Sequence, residues 1–308
     1  MPPPSTLPAV LAPVITPFQE QHAPDVPRLA RQCRWLQANG VGLAVFGTNS
    51  EANSMSVRQK RAVLEGLREA GLPGSQMMPG TGACALDDAI ELTAAAVTAG
   101  AAGVLMLPPF YYKGVSDDGL FAYYSEVIQA VGDNRLRLYV YNIPPVSQVG
   151  LSRSLLERLV SHYPDTVVGI KDSSGDWAYT ESVLRQLAPE GFRVYAGNET
   201  LLLKTLALGG VGCISATANM HPGPISRLAA NPNAVDAEAQ QARLDQVRAV
   251  FQRHPMIAAM KATVARELGD PQWDRLLPPL VSLSDEQRSA LDAALQAIDF
   301  SMPGLLEA

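Results

Sequence analysis

The sequence predicts an α/β chain in which eight parallel strands alternate with helices and close as a (β/α)8 TIM barrel, followed by a C-terminal helical extension. Three observations carry this expectation. Short apolar, β-branched runs recur eight times, amphipathic stretches rich in Ala, Leu, Glu and Arg separate them, and the pattern turns to helices alone after about Asn231. Strands separated by helices require right-handed crossovers and a parallel sheet, and a repeat of roughly 25–30 residues over about 250 favours a closed barrel over an open doubly wound sheet. The barrel is expected over residues 1–231 and the extension over residues 232–308.

The strand candidates, in order, are Ala9–Thr16, Gly42–Gly47, Gln76–Thr81, Gly103–Leu107, Leu136–Tyr141, Val167–Lys171, Arg193–Ala196 and Gly212–Ser215. Helices are expected near Pro27–Ala38, Val57–Ala70, Leu86–Ala99, Asp117–Val131, Ser152–His162, Asp176–Leu187, Glu199–Leu208 and Pro222–Ala230. Ser152 is placed to cap its helix, and Gly40, Gly71, Gly100 and Gly209-Gly210 supply the left-handed backbone that ends one. The extension reads as three helices, Val235–His254, Pro255–Leu268 and Ser284–Ile298.

Composition narrows the function classes. With 47% hydrophobic and 18% charged residues the chain can bury a large core, and a net charge of −6 lacks the basic footprint that nucleic acid or an anionic membrane needs. Cys33, Cys84 and Cys213 are odd in number and widely spaced, which predicts reduced thiols and a cytoplasmic setting. Met1–Thr6 has no basic and apolar leader pattern, and no apolar run approaches a membrane span. His22, His162, His221 and His254 lack metal-ligand spacing, so neither a metal nor any other cofactor is expected. Gly209–Gly212 precedes a strand, which favours a helix-ending turn over a nucleotide loop.

Barrel active sites lie at the C-terminal strand ends. Lys171 ends one strand on the same face as Gly169, two residues earlier, and a buried amine there would attack a ketone carbonyl in its neutral form. A strand-end lysine can equally reach out to water. Tyr141, ending the preceding strand, is a candidate proton carrier, or a core aromatic with a satisfied hydroxyl. Gly47–Ser50 offers Thr48 and backbone N–H groups as a seat for a carboxylate, with a helix-capping turn through Ser50 or Ser54 as the competing reading. Pro108–Gly114 carries Phe110, Tyr111 and Tyr112, which fit either a cover over the site or a subunit contact.

These motifs together resemble the dihydrodipicolinate synthase and N-acetylneuraminate lyase family of Schiff-base, pyruvate-handling barrels. The likeness runs from Pro13–Phe18 to the final helices. It rests on Gly47-Thr48-Asn49-Ser50-Glu51, Pro79–Gly82, Pro109–Tyr112, Tyr141-Asn142-Ile143-Pro144, Gly169-Ile170-Lys171-Asp172 and Gly209–Ser215. The resemblance implies Lys171 as the Schiff-base lysine, Tyr141 as the proton-transfer tyrosine and Thr48 as its hydroxyl relay. It also implies Thr48 and Asn49 as the pyruvate carboxylate seat, Ile214 as a pocket wall, Tyr111 or its neighbour Tyr112 reaching a partner subunit, and a homotetramer built as a dimer of dimers. Two departures stand out. Asn49 and Ser50 replace a threonine and a glycine, and Val146 stands near where the dihydrodipicolinate synthases place an arginine that grips a second carboxylate. The expected function is a pyruvate-dependent aldolase or lyase for a 4-hydroxy-2-oxo acid or a 2-keto-3-deoxy sugar acid. The alternatives are a 2-keto-3-deoxy sugar acid dehydratase, a dihydrodipicolinate synthase, a metal-dependent aldolase and a 2-oxo acid binding barrel without turnover.

Overall fold

The structure, a computed structural model, describes residues 7–307; Met1–Thr6, on which the reading of the N-terminus rests, lie outside the described residues. In chain order the strands are β1 (Val10–Ala12), β2 (Gly42–Leu43), β3 (Val104–Met106), β4 (Leu138–Asn142), β5 (Val167–Asp172), β6 (Arg193–Ala196) and β7 (Gly212–Ile214). The helices are α1 (Val26–Ala38), α2 (Val57–Glu69), α3 (Leu86–Thr98), α4 (Asp117–Val131), α5 (Pro144–Ser147) and α6 (Arg153–His162). They continue as α7 (Trp177–Leu187), α8 (Leu202–Ala207), α9 (Pro222–Ala230), α10 (Ala237–Gln252), α11 (Met256–Leu268) and α12 (Asp285–Gln296).

The expected alternation of strands and helices is therefore present, with one correction. Among the described residues there are seven strands, and the third candidate, Gln76–Thr81, is not one of them. It makes a single parallel bridge, Gly80 opposite Leu105, in which Leu105 N–H donates to Pro79 O at 2.8 Å and Thr81 N–H donates to Leu105 O at 2.9 Å. Pro79 has no N–H to extend the ladder, and Gly74–Gln76 just before it winds into a 3-10 turn.

The chain divides into two compact units, Pro73–Ile214 and Pro8–Leu72 with Ser215–Ala308. In the first, β3 to β7 form one parallel ladder in chain order. Every residue of β4 is buried, as a strand covered on both faces requires, and this is why it reads as a nearly unbroken apolar run. In the second unit β1 pairs in parallel with β2, and the helices from α9 onward pack beside them.

Helix boundaries follow side-chain chemistry. Asp25, Ser56, Ser116, Ser152, Asp176 and Ser284 each accept a backbone N–H in the first turn of the helix that follows, each contributing about 1 kcal/mol. Gly40 and Gly100 stop α1 and α3 at φ +76° and +78°, a conformation that a Cβ would strain. No described helix is long and apolar enough to cross a membrane. All three cysteines are free thiols, Cys33 and Cys213 buried and Cys84 exposed.

Candidate active site

Parallel pairing brings Tyr141 of β4 opposite Lys171 of β5, and Lys171 opposite Tyr195 of β6. Paired residues share a face, so the ends of adjacent strands present the amine and the phenol side by side. Lys171 and Tyr141 are each 3% exposed. Lys171 Nζ donates to Tyr141 Oη at 3.0 Å and lies 4.1 Å from the centroid of that ring. The lysine thus points inward instead of reaching to water. Gly169 assists for a reason that alternation alone does not reveal: the ring of Tyr139 occupies the place of its side chain, only 2.5 Å from where a Cβ would sit. Ile214, fully buried at the end of β7, lies on the same face through the pairings of Lys171 with Tyr195 and Tyr195 with Gly212.

The residues next in sequence, Asn142 and Asp172, face the other way and build a support. Asn142 Nδ2 donates to Asp172 at 2.8 Å, and Asn142 Oδ1 accepts Leu151 N–H at 3.1 Å. Asp172 also accepts the Ser174 N–H at 3.2 Å, the Ser174 hydroxyl at 2.9 Å and the Thr180 hydroxyl. Burial raises the Asp172 carboxyl above the usual carboxylate range, and the bonds from Thr180, Asn142 and Ser174 oppose that rise.

Thr48 and Asn49 lie in the other unit, half-buried in a 3-10 turn over Thr48–Ser50. The turn is a closed loop of its own and not the cap of α2, which Ser56 caps. Within it Gly47 N–H donates to Ser50 Oγ at 3.1 Å, Ser50 N–H to Gly47 O at 3.0 Å and Glu51 N–H to Thr48 O at 3.2 Å. Those three N–H groups are occupied, which narrows the polar groups a carboxylate could meet to the Thr48–Asn49 portion. Phe46 and Glu51, on either side, hold left-handed φ of 63° and 58°. Glu51 is fully buried in an ion pair with Lys261 of α11, Nζ to Oε1 2.6 Å, and its Oε2 accepts Leu277 N–H at 2.7 Å. Burial pushes the Lys261 ammonium down while Glu51 beside it opposes that.

Tyr111 and Tyr112 are 74% and 73% exposed and meet edge to face, centroids 5.3 Å apart. Tyr111 therefore stays outside the buried Lys171–Tyr141 pair of its own chain. Lys113 ties their loop to α5, donating to Ser147 O at 2.7 Å and to Phe110 O. Val146 on α5 is 62% exposed.

Of the residues singled out in the sequence, Lys171, Tyr141 and Ile214 come to one face of the ladder, whereas Asp172, Lys113 and the Glu51–Lys261 pair had been given no role there. Lys261 did carry a signal, as a lone charge within Met256–Val264, an otherwise apolar and small-residue helix. Among the described residues no group of three or more His, Cys, Asp or Glu is placed to hold a metal ion.

Comparison with known proteins decides the family. The dihydrodipicolinate synthetase family pattern matches residues 6–298. The chain belongs to that family. Its relatives include an uncharacterized DapA-like lyase of Chloroflexus aurantiacus, 32% identical over 94% of this chain and 96% of the relative. The 4-hydroxy-tetrahydrodipicolinate synthase of Agrobacterium fabrum is 33% identical over 92% and 95%. Among solved structures, dihydrodipicolinate synthase from Agrobacterium tumefaciens aligns with a TM-score of 0.86 at 33% identity, over 94% of this chain and 99% of that one. The prophage protein YagE of E. coli K12, a member of this family solved in complex with pyruvate, aligns with a TM-score of 0.87 at 26% identity, over 96% and 100%. Members of the dihydrodipicolinate synthetase family are class I pyruvate-dependent lyases, and this chain is an enzyme of that lyase and aldolase group.

Proposed function

We propose that the chain is a Schiff-base aldolase that cleaves or forms a 4-hydroxy-2-oxo acid or a 2-keto-3-deoxy sugar acid, with pyruvate as the common product or substrate. The observation that carries this reading is the buried amine–phenol pair, Lys171 Nζ to Tyr141 Oη at 3.0 Å, at the ends of two adjacent parallel strands. Neutral Lys171 adds to the C2 carbonyl, and the carbinolamine loses water to give an iminium. The C4 hydroxyl then gives up its proton, the C3–C4 electron pair flows into the iminium, and an aldehyde departs. Protonation of the enamine at C3 and hydrolysis return pyruvate and the free amine. Tyr141 is the proton carrier nearest the amine, a role worth roughly 10²–10⁴ in rate.

The remaining assignments follow the family motif: Thr48 as relay, Thr48 and Asn49 as the carboxylate seat, Ile214 as a wall, and Tyr111 or Tyr112 completing the site of a neighbouring copy in a homotetramer. A closed (β/α)8 barrel over residues 1–231 with a helical extension over residues 232–308, and a cytoplasmic location, belong to the same proposal. Val146 argues against dihydrodipicolinate synthase activity, because a valine cannot make the charge-assisted bond that a second carboxylate would require.

Borohydride reduction in the presence of pyruvate tests the mechanism. The expected result is an irreversible mass increase on the Lys171 peptide of the folded protein and none in Lys171→Ala. If no 2-oxo acid in a panel leaves an adduct, the chain is a binding barrel and the mechanism is wrong. Pyruvate release against dehydration across sugar-acid substrates then separates aldolase from dehydratase, and undiminished turnover in chelator rules out a metal-dependent aldolase.

A further inference from the structure

The Glu51–Lys261 pair is an expensive way to fill the interior. Both side chains are wholly removed from solvent, and a buried ion pair generally stabilises a fold no better than apolar residues of the same volume. What such a pair does provide is a fixed geometry. Each carboxylate oxygen of Glu51 has its own donor, Lys261 Nζ for Oε1 and Leu277 N–H for Oε2, so the side chain has one orientation. Lys261 is held in turn, with Nζ 4.5 Å from the centroid of the Phe18 ring.

Glu51 also closes the 3-10 turn that carries Thr48 and Asn49, and does so with left-handed backbone at φ 58° and ψ 33°. For a residue with a Cβ that conformation costs about 1–3 kcal/mol and persists only where its surroundings over-determine it. The carboxylate clamp supplies that determination, and a second tie, the Thr16 hydroxyl donating to Ser50 O at 2.9 Å, holds the adjacent carbonyl.

We propose that the Glu51–Lys261 ion pair is a positioning device: it holds the Thr48–Asn49 turn in shape and so sets how tightly the enzyme grips the carboxylate of its 2-oxo acid. This rests on the functional reading given above. The pair lies 210 residues apart in sequence, so α11 of the C-terminal region shapes a turn that follows the second strand. Lys261 and Glu51 touch no substrate atom in this scheme; they act through Thr48 and Asn49.

The test uses pyruvate as the probe and borohydride trapping at Lys171 as the readout. Wild type, Glu51→Gln, Lys261→Met and the double variant are compared at a temperature well below each midpoint of melting. Each single variant leaves a buried group without its partner and is expected to melt earlier. In both, the pyruvate concentration for half-maximal trapping should rise about tenfold or more, equivalent to about 1.4 kcal/mol, while the trapped fraction at saturation stays near wild type. The double variant separates positioning from stability: its melting temperature should recover toward wild type while half-saturation stays raised. Half-saturation that returns together with the melting temperature, or that never moves in the folded variants, overturns the proposal. If the neutral variants do not fold, Glu51→Asp keeps the charge and shortens the reach by one methylene, and wild-type half-saturation there overturns it too. Absence of any adduct in the wild type would instead defeat the Schiff-base reading itself.

Discussion

Replacing Tyr141 by Phe isolates the one atom on which the proton-transfer role depends. The ring centroid lies 4.1 Å from Lys171 Nζ, so phenylalanine keeps that contact and the packing of a residue only 3% exposed. What disappears is the acceptor 3.0 Å from the amine. The structural part of the loss is that of one buried hydrogen bond to an amine, about 1–3 kcal/mol. The kinetic part is larger: removing a general acid–base group costs roughly 10²–10⁴ in rate, or about 2.7–5.5 kcal/mol. Time-resolved borohydride trapping at saturating pyruvate reads the kinetic part and thermal melting reads the structural part. The expected outcome is an adduct that still forms on Lys171, but slower by that factor, in a protein melting a few degrees earlier. A trapping rate within about threefold of wild type, under ~0.7 kcal/mol, would refute the role of Tyr141 and leave it a packing residue.

Three further outcomes are expected. Gly169→Ala puts a Cβ 2.3 Å from Arg193 O and 2.5 Å from the Tyr139 ring; the first contact is backbone of the paired strand, so the loss should reach the upper part of the roughly 1–3 kcal/mol range for overpacking, read as a lower denaturation midpoint. Asp172 binds its proton more readily folded than unfolded, so its contribution grows as pH falls from neutral through its raised folded value toward the ordinary value near about 4. The melting-temperature difference between wild type and Asp172→Asn should therefore shift in favour of wild type on acidification, and a difference that is flat or moves the other way between neutral pH and about 4 contradicts the assignment. Finally, a thiol reagent should label only Cys84 in the native protein. Cys33 and Cys213 are buried, and burial pushes the Cys33 thiol well up, so native labelling of either would show that its surroundings open.

Much of the fold was legible because its signals are local. Serine and aspartate caps and glycine stops sit within a turn of the helices they bound, and the apolar runs of β4 and β5 show directly as strands. The third strand candidate failed because an apolar run says nothing about donors: Pro79 removes one, and Gly74–Gln76 takes the chain into a turn first. The site divided in the same way. Period-two alternation placed Lys171 and Gly169 on one face, and the pairing of neighbouring strands then put Tyr141 beside the amine. The Tyr139 ring over Gly169 could not be read, since it depends on packing between strands. Nor could the partner of Glu51, because nothing near residue 51 indicates that its counter-charge arrives from α11.

The opposite facing of Lys171 and Asp172 has a chemical consequence. A carboxylate alongside that amine would be a standing rival to any ketone, competing for the nitrogen as an ion-pair partner. Here the acid one peptide bond away is engaged by Asn142, Ser174 and Thr180 behind the sheet, so proximity along the backbone never becomes proximity in space. The same strand thereby carries an amine and an acid that would otherwise pair with it, insulated from each other by the thickness of one pleat.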